Sequence, residues 1–392
     1  MILIILFWIS VFLIFHSYVL YPLILRILAK GKEENREVYS MDDDLPFVSV
    51  IMSVHNEEKV IVEKIRSIYY TLYPLNKLEV IVGSDNSNDA TNRICKVYTG
   101  NYHNFRFFEY KERQGKPSVI NKLAEQAKGE ILIITDANVM FNIHTIFEIV
   151  KYFKNSKTGL VDSIMLHRGL KKSGISFQES AYISREVLIK KQEGIIWGTM
   201  MGPFGGCYAI RKVDFPGIPP NSLVDDFYVN MKILEKGKNT MTSISAFVTE
   251  DVSNEITDEF RRKVRIATGN FQNLRKFFHL IFKSKPGLGF SFISHKIIRW
   301  FGPFFLILAF VSNLLLIDMQ FYRITLYLQL FIILLVLFDL IFKKFNLHII
   351  FLRFITHFLT MNLALLFGFV RFTTGVKSGI WQPTRRNQIE KN

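Results

Sequence analysis

Residues 131–138, Ile-Leu-Ile-Ile-Thr-Asp-Ala-Asn, form an apolar run that ends in an acid. Such a run suits a strand buried on both faces of a mostly parallel sheet, where ligands sit beyond the carboxyl ends of the strands. Asp136 is thereby delivered to a ligand-facing rim. The same design occurs twice upstream: residues 47–53 lead into Val54-His55-Asn56-Glu57-Glu58, and residues 78–83 into Ser84-Asp85-Asn86-Ser87-Asn88-Asp89. Three strands with polar tips suggest one site.

Two roles are open to Asp85 and Asp136. Each could cap a following helix, which Asp does well. Together they could hold the base or ribose of a sugar nucleotide and a divalent cation, because oxygen ligands suit Mg or Mn. The surrounding chain, residues 46–259, alternates strand-like and helix-like patterns, the signature of an α/β domain. Helices are expected at 57–70, 90–98, 117–127 and 143–153, with Pro117 suited to a first helical turn, and further strands at 105–109 and 159–166. Residues 176–247 are less regular and include a Gly-rich stretch, 198–206.

The ends of the chain have a different character. Of the 392 residues 49% are hydrophobic and 37 are Phe, which points to membrane attachment. Residues 2–25 contain no Lys, Arg, Asp or Glu. At about 1.5 Å per residue they would reach roughly 36 Å, enough to cross a bilayer with some tilt. Arg26, Lys30 and Lys32 follow at once, so the N-terminus is expected outside and the middle of the chain in the cytoplasm. A cleaved signal peptide is the competing reading, against which stand the length of the run and the absence of a cationic leader. Residues 29–45 read as a linker, and its acidic run at 42–44 as a solvated face rather than a metal site.

The formal net charge is +15. In a soluble protein that would raise nucleic-acid binding. Here the basic residues gather beside apolar spans, as in Arg261, Arg262, Lys263, Arg265, Arg275 and Lys276, where they can meet anionic headgroups. Membrane lipids are therefore expected as partners and nucleic acid is not. Cys95 and Cys207 give neither metal-ligand spacing nor a disulfide framework, consistent with a reducing cytosolic domain.

Between residues 260 and 281, Phe260, Val264, Ala267, Phe271, Leu274, Phe278 and Ile281 recur at spacings of four and three. This stripe predicts an amphipathic helix, lying at the membrane interface or packed on the α/β domain. Three apolar spans follow near 300–317, 326–342 and 349–370. If all three cross, the tail with Arg371, Lys377, Arg385 and Arg386 ends outside, against the positive-inside expectation. One span is therefore expected to be re-entrant or interfacial. The last is the weakest candidate, because it contains Arg353 and His357 and charges within a span are costly unless they face protein or water.

Taken in order, Val48-Ser49-Val50-Ile51 through Asn56-Glu57-Glu58, Asp85-Asn86-Ser87-Asn88-Asp89-Ala90-Thr91, Gly115-Lys116-Pro117 with Asn121, and Thr135-Asp136-Ala137-Asn138 resemble family 2 glycosyltransferases. The flanking spans look like those of the membrane-bound exopolysaccharide branch. The resemblance implies an α/β GT-A fold, a Rossmann-like domain for a nucleotide sugar, with α-helical transmembrane segments at both ends. It implies inverting transfer of a sugar from a nucleotide donor, assisted by Mg or Mn. Carried over residue by residue, His55, Asn56 and Glu57 would line the uridine pocket, with Asp85 near the base and Lys116 near the donor. Asp136 matches the first acid of the DxD metal motif. Its second acid is replaced by Asn138, which still offers a carbonyl oxygen.

Val224-Asp225-Asp226-Phe227 resembles the Glu-Asp signature whose second acid is the general base, which makes Asp226 the candidate to deprotonate the acceptor hydroxyl. The alternative is that Asp225 or Asp226 caps a helix. The run from Gly202 to Cys207 resembles the acceptor loop, with Gly205, Gly206 and Asp225 as acceptor-side residues; a tight turn without a ligand is the alternative. Arg262-Lys263-Val264-Arg265-Ile266 occupies the place of the QxxRW motif of processive synthases, with Arg262 for Gln and Ile266 for Trp. Arg262 and Arg265 could offset diphosphate charge, whereas the missing Trp argues against a growing polymer.

The expected organisation is an N-terminal transmembrane helix at 1–28, the linker, a catalytic domain at 46–259, an amphipathic region at 260–296, transmembrane helices at 297–371 and a basic tail at 372–392. The expected protein is a multi-pass enzyme of the cell membrane, its catalytic domain cytoplasmic and its acceptor a lipid-linked saccharide or growing surface glycan. A processive exopolysaccharide synthase and a non-catalytic scaffold with a degenerate sugar-nucleotide domain are the rival readings. A dinucleotide oxidoreductase is weaker, because no G-x-G-x-x-G follows the first strand.

Overall fold

The computed structural model describes residues 1–33, 35–168, 176–251, 256–345, 347 and 349–375. At the N-terminus, α1 (Ile2–Phe15) and α2 (Tyr21–Leu28) run on through a π-helical turn at His16–Leu20. The chain then docks on the domain rather than hanging free. The Tyr39 N–H donates to Lys151 O at 2.9 Å, and Asp43 and Asp44 pair with Lys154 and Lys77. The segment expected to be a bare linker is thus tied down along its acidic run.

One eight-stranded sheet organises the middle of the chain. β1 (Val48–Val54) leads through α3 (Ile61–Tyr69) to β2 (Leu78–Asp85), and α4 (Thr91–Asn101) leads to β3 (Phe105–Tyr110). Next come α5 (Lys116–Gln126), β4 (Ile131–Thr135), β5 (Val139–Phe141), α6 (Thr145–Val150) and β6 (Thr158–Arg168). The long α7 (Ser176–Trp197) precedes β7 (Cys207–Arg211), α8 (Asp225–Glu235) and β8 (Asn239–Asp251). Strand order is β3-β2-β1-β4-β7-β6-β8-β5. The first four strands are parallel, as their unbroken apolar runs require of a sheet covered on both faces. Beyond β4 the sheet is mixed: β7 lies antiparallel between β4 and β6, and β5 is antiparallel to β8. The sheet is still mostly parallel, as expected, because β6 and β8 run in the direction of β1–β4, and the reversed β7 brings its own start to the rim where β4 ends.

Apolar packing covers both faces. On one, Val50, Met52, Val80 and Ile133 pack with Ile61, Ile65 and Ile68 of α3; on the other, Ile51, Ile81, Leu132 and Ile134 pack with Val119, Ile120 and Leu123 of α5. Successive residues of a strand point to opposite faces, so an uninterrupted apolar run feeds both layers. The helix expected from Glu57 starts later, at Ile61, because Glu57 and Glu58 are engaged at the strand tip. The helix expected at 143–153 closes as a single α-turn pair followed by a 3-10 segment, Lys151–Lys154.

After the sheet, α9 (Ile256–Phe277) and the 3-10 turn Phe278–Phe282 form the predicted amphipathic element. The middle of its stripe is packed on protein, whereas Phe278 at its end is exposed. Ala267, Phe271 and Phe277 are buried, and a side chain at Gly269 would strike Val224, just before α8. The remainder is helical: α10 (Leu288–Ser291), a π-turn at Phe292–Ile297, α11 (Ile298–Trp300), α12 (Gly302–Leu315), α13 (Gln320–Lys344) and α14 (Ile350–Thr373). Ile2–Leu28, Gln320–Lys344 and Ile350–Thr373 are long and apolar enough to cross a membrane, and Leu288–Trp300 with Gly302–Leu315 forms a pair bent by 61°. Most of the basic tail lies outside the described residues.

Candidate active site

The tips of β1 and β2 are knitted to each other by side chains. His55 Nδ1 lies 2.8 Å from Asp85 O, and Arg113 meets His55 Nε2 at 2.8 Å. Asn56 and Asn86 both adopt left-handed backbone conformations, φ 56° and 57°, which Asn tolerates better than most residues. Asn56 Oδ1 accepts the Asn88 N–H at 2.9 Å, and the Glu57 N–H donates to Thr91 Oγ1 at 2.9 Å. His55, Asn56, Glu57 and Asp85 therefore form one continuous wall.

Asp85 is buried, and its carboxylate accepts the N–H groups of Gln114 at 2.6 Å and Gly115 at 2.9 Å. These two N–H groups lie just before α5, so Asp85 fixes the turn that leads into that helix, with Lys116 as its first residue. Lys116 Nζ then donates to Asp136 Oδ1 at 2.6 Å and lies 3.8 Å from Asp225 Oδ2. Lys116 is drawn into the pocket, where burial opposes its charge, but Asp136, Asp225 and Asp226 hold its pKa above the ordinary ammonium value.

The antiparallel placement of β7 supplies the next component. Thr135 pairs with Cys207, so Gly206 arrives beside Asp136: its carbonyl accepts the Asp136 N–H at 3.0 Å and Thr135 Oγ1 at 2.9 Å. Gly205, at φ 83°, lies against Asp226; a Cβ there would sit 2.6 Å from Asp226 Oδ2. Only glycine permits both that backbone conformation and that approach. Asp225 and Asp226 occupy the first turn of α8 behind an N-cap, Val224, that carries no capping side chain. Burial and the neighbouring Asp225 push Asp226 up to about 7. A carboxyl group so placed takes a proton near neutral pH.

On the far side of the rim, Arg265 of α9 donates to Leu223 O at 3.1 Å, two residues before Asp225. Burial and Arg262 lower the Arg265 pKa, while Asp225, Asp226 and Asp136 act in the opposite sense. Arg262 lies one turn away and donates to Glu259 at 3.3 Å. Asp136, Lys116, Asp225, Asp226, Gly205, Gly206 and Arg265 thus converge, with the His55–Asp85 wall joined to them through Gly115.

A divalent cation fits Asp136, which stays partly exposed at the rim. Asn138 is turned differently. Its amide Nδ2 donates to Glu250 Oε1 at 2.8 Å, so Glu250, which sequence reasoning did not find, is the acid beside this position. Among the described residues no three His, Cys, Asp or Glu side chains cluster to hold a metal. Asp162, buried beneath the Gly-rich loop and paired with Lys190 at 2.8 Å, was likewise missed, since neither residue stands in a recognisable motif.

Known proteins resemble this chain in sequence and in fold. The sequence model of glycosyl transferase family 2 matches residues 49–215. A β-monoglucosyldiacylglycerol synthase of Trichormus variabilis is 24% identical over 266 residues, 67% of this chain and 56% of that protein, so the chain spans little more than half of that relative's length. The probable glycosyltransferase YdaM of Bacillus subtilis is 24% identical over 297 residues, covering 70% of this chain and 67% of that one. Among solved structures, the mannosyltransferase PcManGT of Pyrobaculum calidifontis, in complex with GDP-Man and Mn2+, superposes with a TM-score of 0.72. That match covers 94% of this chain and 99% of the other at 20% sequence identity, and it shows the shared GT-A fold. The ordered tips of the sheet lie within residues 49–215, the part of the chain that is similar to glycosyl transferase family 2.

Proposed function

We propose that this protein is a membrane-anchored inverting glycosyltransferase that moves a sugar from a nucleotide donor, a UDP-sugar, to a lipid-linked saccharide or growing surface glycan. The observation that carries this reading is the junction at Lys116. One ammonium contacts Asp136 and Asp225, while Gly205 lies against Asp226. Donor-side and acceptor-side elements meet there.

In this reading the donor base and ribose lie along His55, Asn56, Glu57 and Asp85. Lys116, Arg262 and Arg265 face the diphosphate and offset its charge as the nucleotide leaves. Mg or Mn, bound at Asp136 with Asn138 and Glu250 beside it, would supply further charge neutralisation to the diphosphate. Asp226 removes the proton of the acceptor hydroxyl while that oxygen bonds the anomeric carbon and the bond to the diphosphate breaks. Attack from the face opposite the leaving group inverts that centre. Gly205 and Gly206 let the acceptor approach the base closely.

Membrane attachment is supported by the long apolar helices at both ends. Their contacts support a particular arrangement. Phe7 and Trp8 near the start of α1 meet Tyr322 and Phe321 at the start of α13, and Leu316, just after α12, packs on the same cluster. In our reading α1–α2, α12 and α13 cross, with α12 returning beside α1. α14 lies along α9: Gly368 abuts Ala267, and Phe369 and Phe372 pack on Phe271. The last span then does not cross, and the catalytic domain and the basic tail share the cytoplasmic side.

A screen of UDP- and GDP-sugars for metal-dependent release of free nucleotide by the detergent-purified protein tests the enzymatic proposal. Release from one donor, lost in Asp136→Ala, is expected. Binding without release from any donor would favour a non-catalytic scaffold.

A further inference from the structure

Behind the Gly-rich loop lies a group of buried charges that the proposed reaction does not use. Glu193 of α7 is fully buried where three parts of the chain meet. Its Oε1 accepts a hydrogen bond from Tyr21 Oη of α2 at 2.7 Å and lies 2.7 Å from His295 Nδ1, in the π-turn that leads into α11. Its Oε2 accepts the backbone N–H of Met201, at the start of the Gly-rich loop, at 2.9 Å. His295 continues the chain of contacts through Nε2 to Glu186 at 2.8 Å, and Glu186 pairs with Arg299 and Lys296. A second tie runs in parallel: the Phe204 N–H points at Asp162, 3.3 Å away, and Asp162 is bound by Lys190 of the same α7.

Buried charges that served only to join helices would contact side chains of those helices alone. Glu193 instead spends one oxygen on two membrane-side elements and the other on the loop backbone. A buried carboxylate is tolerated only when hydrogen-bonded, so its position is fixed by all three partners together. Any shift of α2 or of the bent segment is therefore felt at Met201.

We propose that Glu193 is a positioning residue through which the membrane-anchoring helices set the backbone of the acceptor loop. Seating of α2 and the bent segment in lipid would then govern transfer and leave donor binding alone. This rests on the acceptor-side reading of residues 202–206 given above.

The test uses the full chain in nanodiscs of phosphatidylglycerol and phosphatidylethanolamine, as wild type, Glu193→Gln and Tyr21→Phe. Amide hydrogen exchange is followed across residues 199–207 and across β1 and β2. Loss of one hydrogen bond to a charged group is expected to speed exchange of the loop about tenfold or more, with β1 and β2 unchanged. In the nucleotide-release assay the donor KM stays at the wild-type value while kcat falls. Unchanged loop exchange in both variants, or acceleration spread over the whole sheet, would overturn the proposal. Should Glu193→Gln fail to fold, Tyr21→Phe decides alone, because it removes a single oxygen from a helix outside the donor wall. If the wild type releases nucleotide from no sugar, the enzymatic reading fails, and the exchange result still decides whether Glu193 transmits the position of the anchor.

Discussion

Asp226, the general base of the proposed reaction, carries a pKa that would suit that role and that weakens the fold. Burial and Asp225 raise it to about 7 in the folded chain, against about 4 when unfolded. Below about pH 4 it is protonated in both states and costs nothing; between about 4 and 7 only the unfolded state ionises, so its effect on stability grows less favourable as pH rises. Asp226→Asn is expected to melt above the wild type at pH 8, with the gap narrowing toward pH 4, as differential scanning fluorimetry would record. The same substitution should lower kcat by about 10²–10⁴-fold, the usual worth of a general base. The acid limb of the wild-type pH–rate profile is expected near 7, and Asp225→Asn should move it downward, because the like charge beside Asp226 is gone. At Gly205, Ala would need the same positive φ and would press on Asp226 Oδ2. Gly205→Ala is expected to lose transfer while nucleotide affinity, read by titration, is kept.

At the scale of elements, the turn between β4 and β5 is held from within by Lys64 of α3. Its Nζ donates to Thr135 Oγ1 at 2.8 Å and to Val139 O at 2.5 Å, over the ring of Phe141. These bonds bracket Asp136 and Asn138, and burial draws the Lys64 pKa down to about 7. Lys64→Met would leave both acceptors unmatched, a loss of about 1–3 kcal/mol each by the usual penalty for a buried unsatisfied group. Chemical denaturation would register it, with a weaker affinity for Mn beside it. α9 works on the opposite side. Because a Cβ at Gly269 would lie 2.5 Å from Val224 Cγ2, Gly269→Val should push the start of α8 outward. The overpacking is worth about 1–3 kcal/mol, and the displacement of Asp225 and Asp226 should reduce kcat more than donor affinity.

For the molecule as a whole, the C-terminal helices are joined to one another by polar as well as apolar contacts. Arg353 of α14 pairs with Asp339 of α13 at 3.2 Å, which accounts for a charge within an apolar span. Asp339→Leu should lower the melting temperature in detergent, since breaking a buried pair is worth about 3–5 kcal/mol, whereas Asp339→Leu with Arg353→Leu should recover most of the loss. The arrangement of crossings makes its own prediction. Cysteines placed at exposed Asp318, between α12 and α13, should label from the side of the membrane opposite to cysteines at Lys344 and Thr374. Labelling of all three positions from one side would refute the reading that α12 and α13 each cross.

The sequence by itself determined the α/β architecture, the three strand tips and the identity of the residues facing the rim, because strand periodicity, unbroken apolar runs and the acids ending them are local properties. His55, Asp85 and Asp136 were legible on that basis, and so were the apolar spans at both ends, whereas Lys116, Asp225 and Asp226 were expected from the resemblance to family 2 glycosyltransferases. Tertiary structure alone decided the partners. That β7 runs antiparallel and brings Gly206 to Asp136 depends on strand order, which no local pattern encodes. Asp85 holds the turn before a helix begun some thirty residues later in the chain, Asn138 turns its amide to Glu250 on a distant strand, and Glu193 joins an N-terminal helix to the Gly-rich loop. Each of these is a contact between residues far apart in sequence. Such contacts arise from the packing of layers against one another, and packing is a property of the folded chain, not of any segment within it.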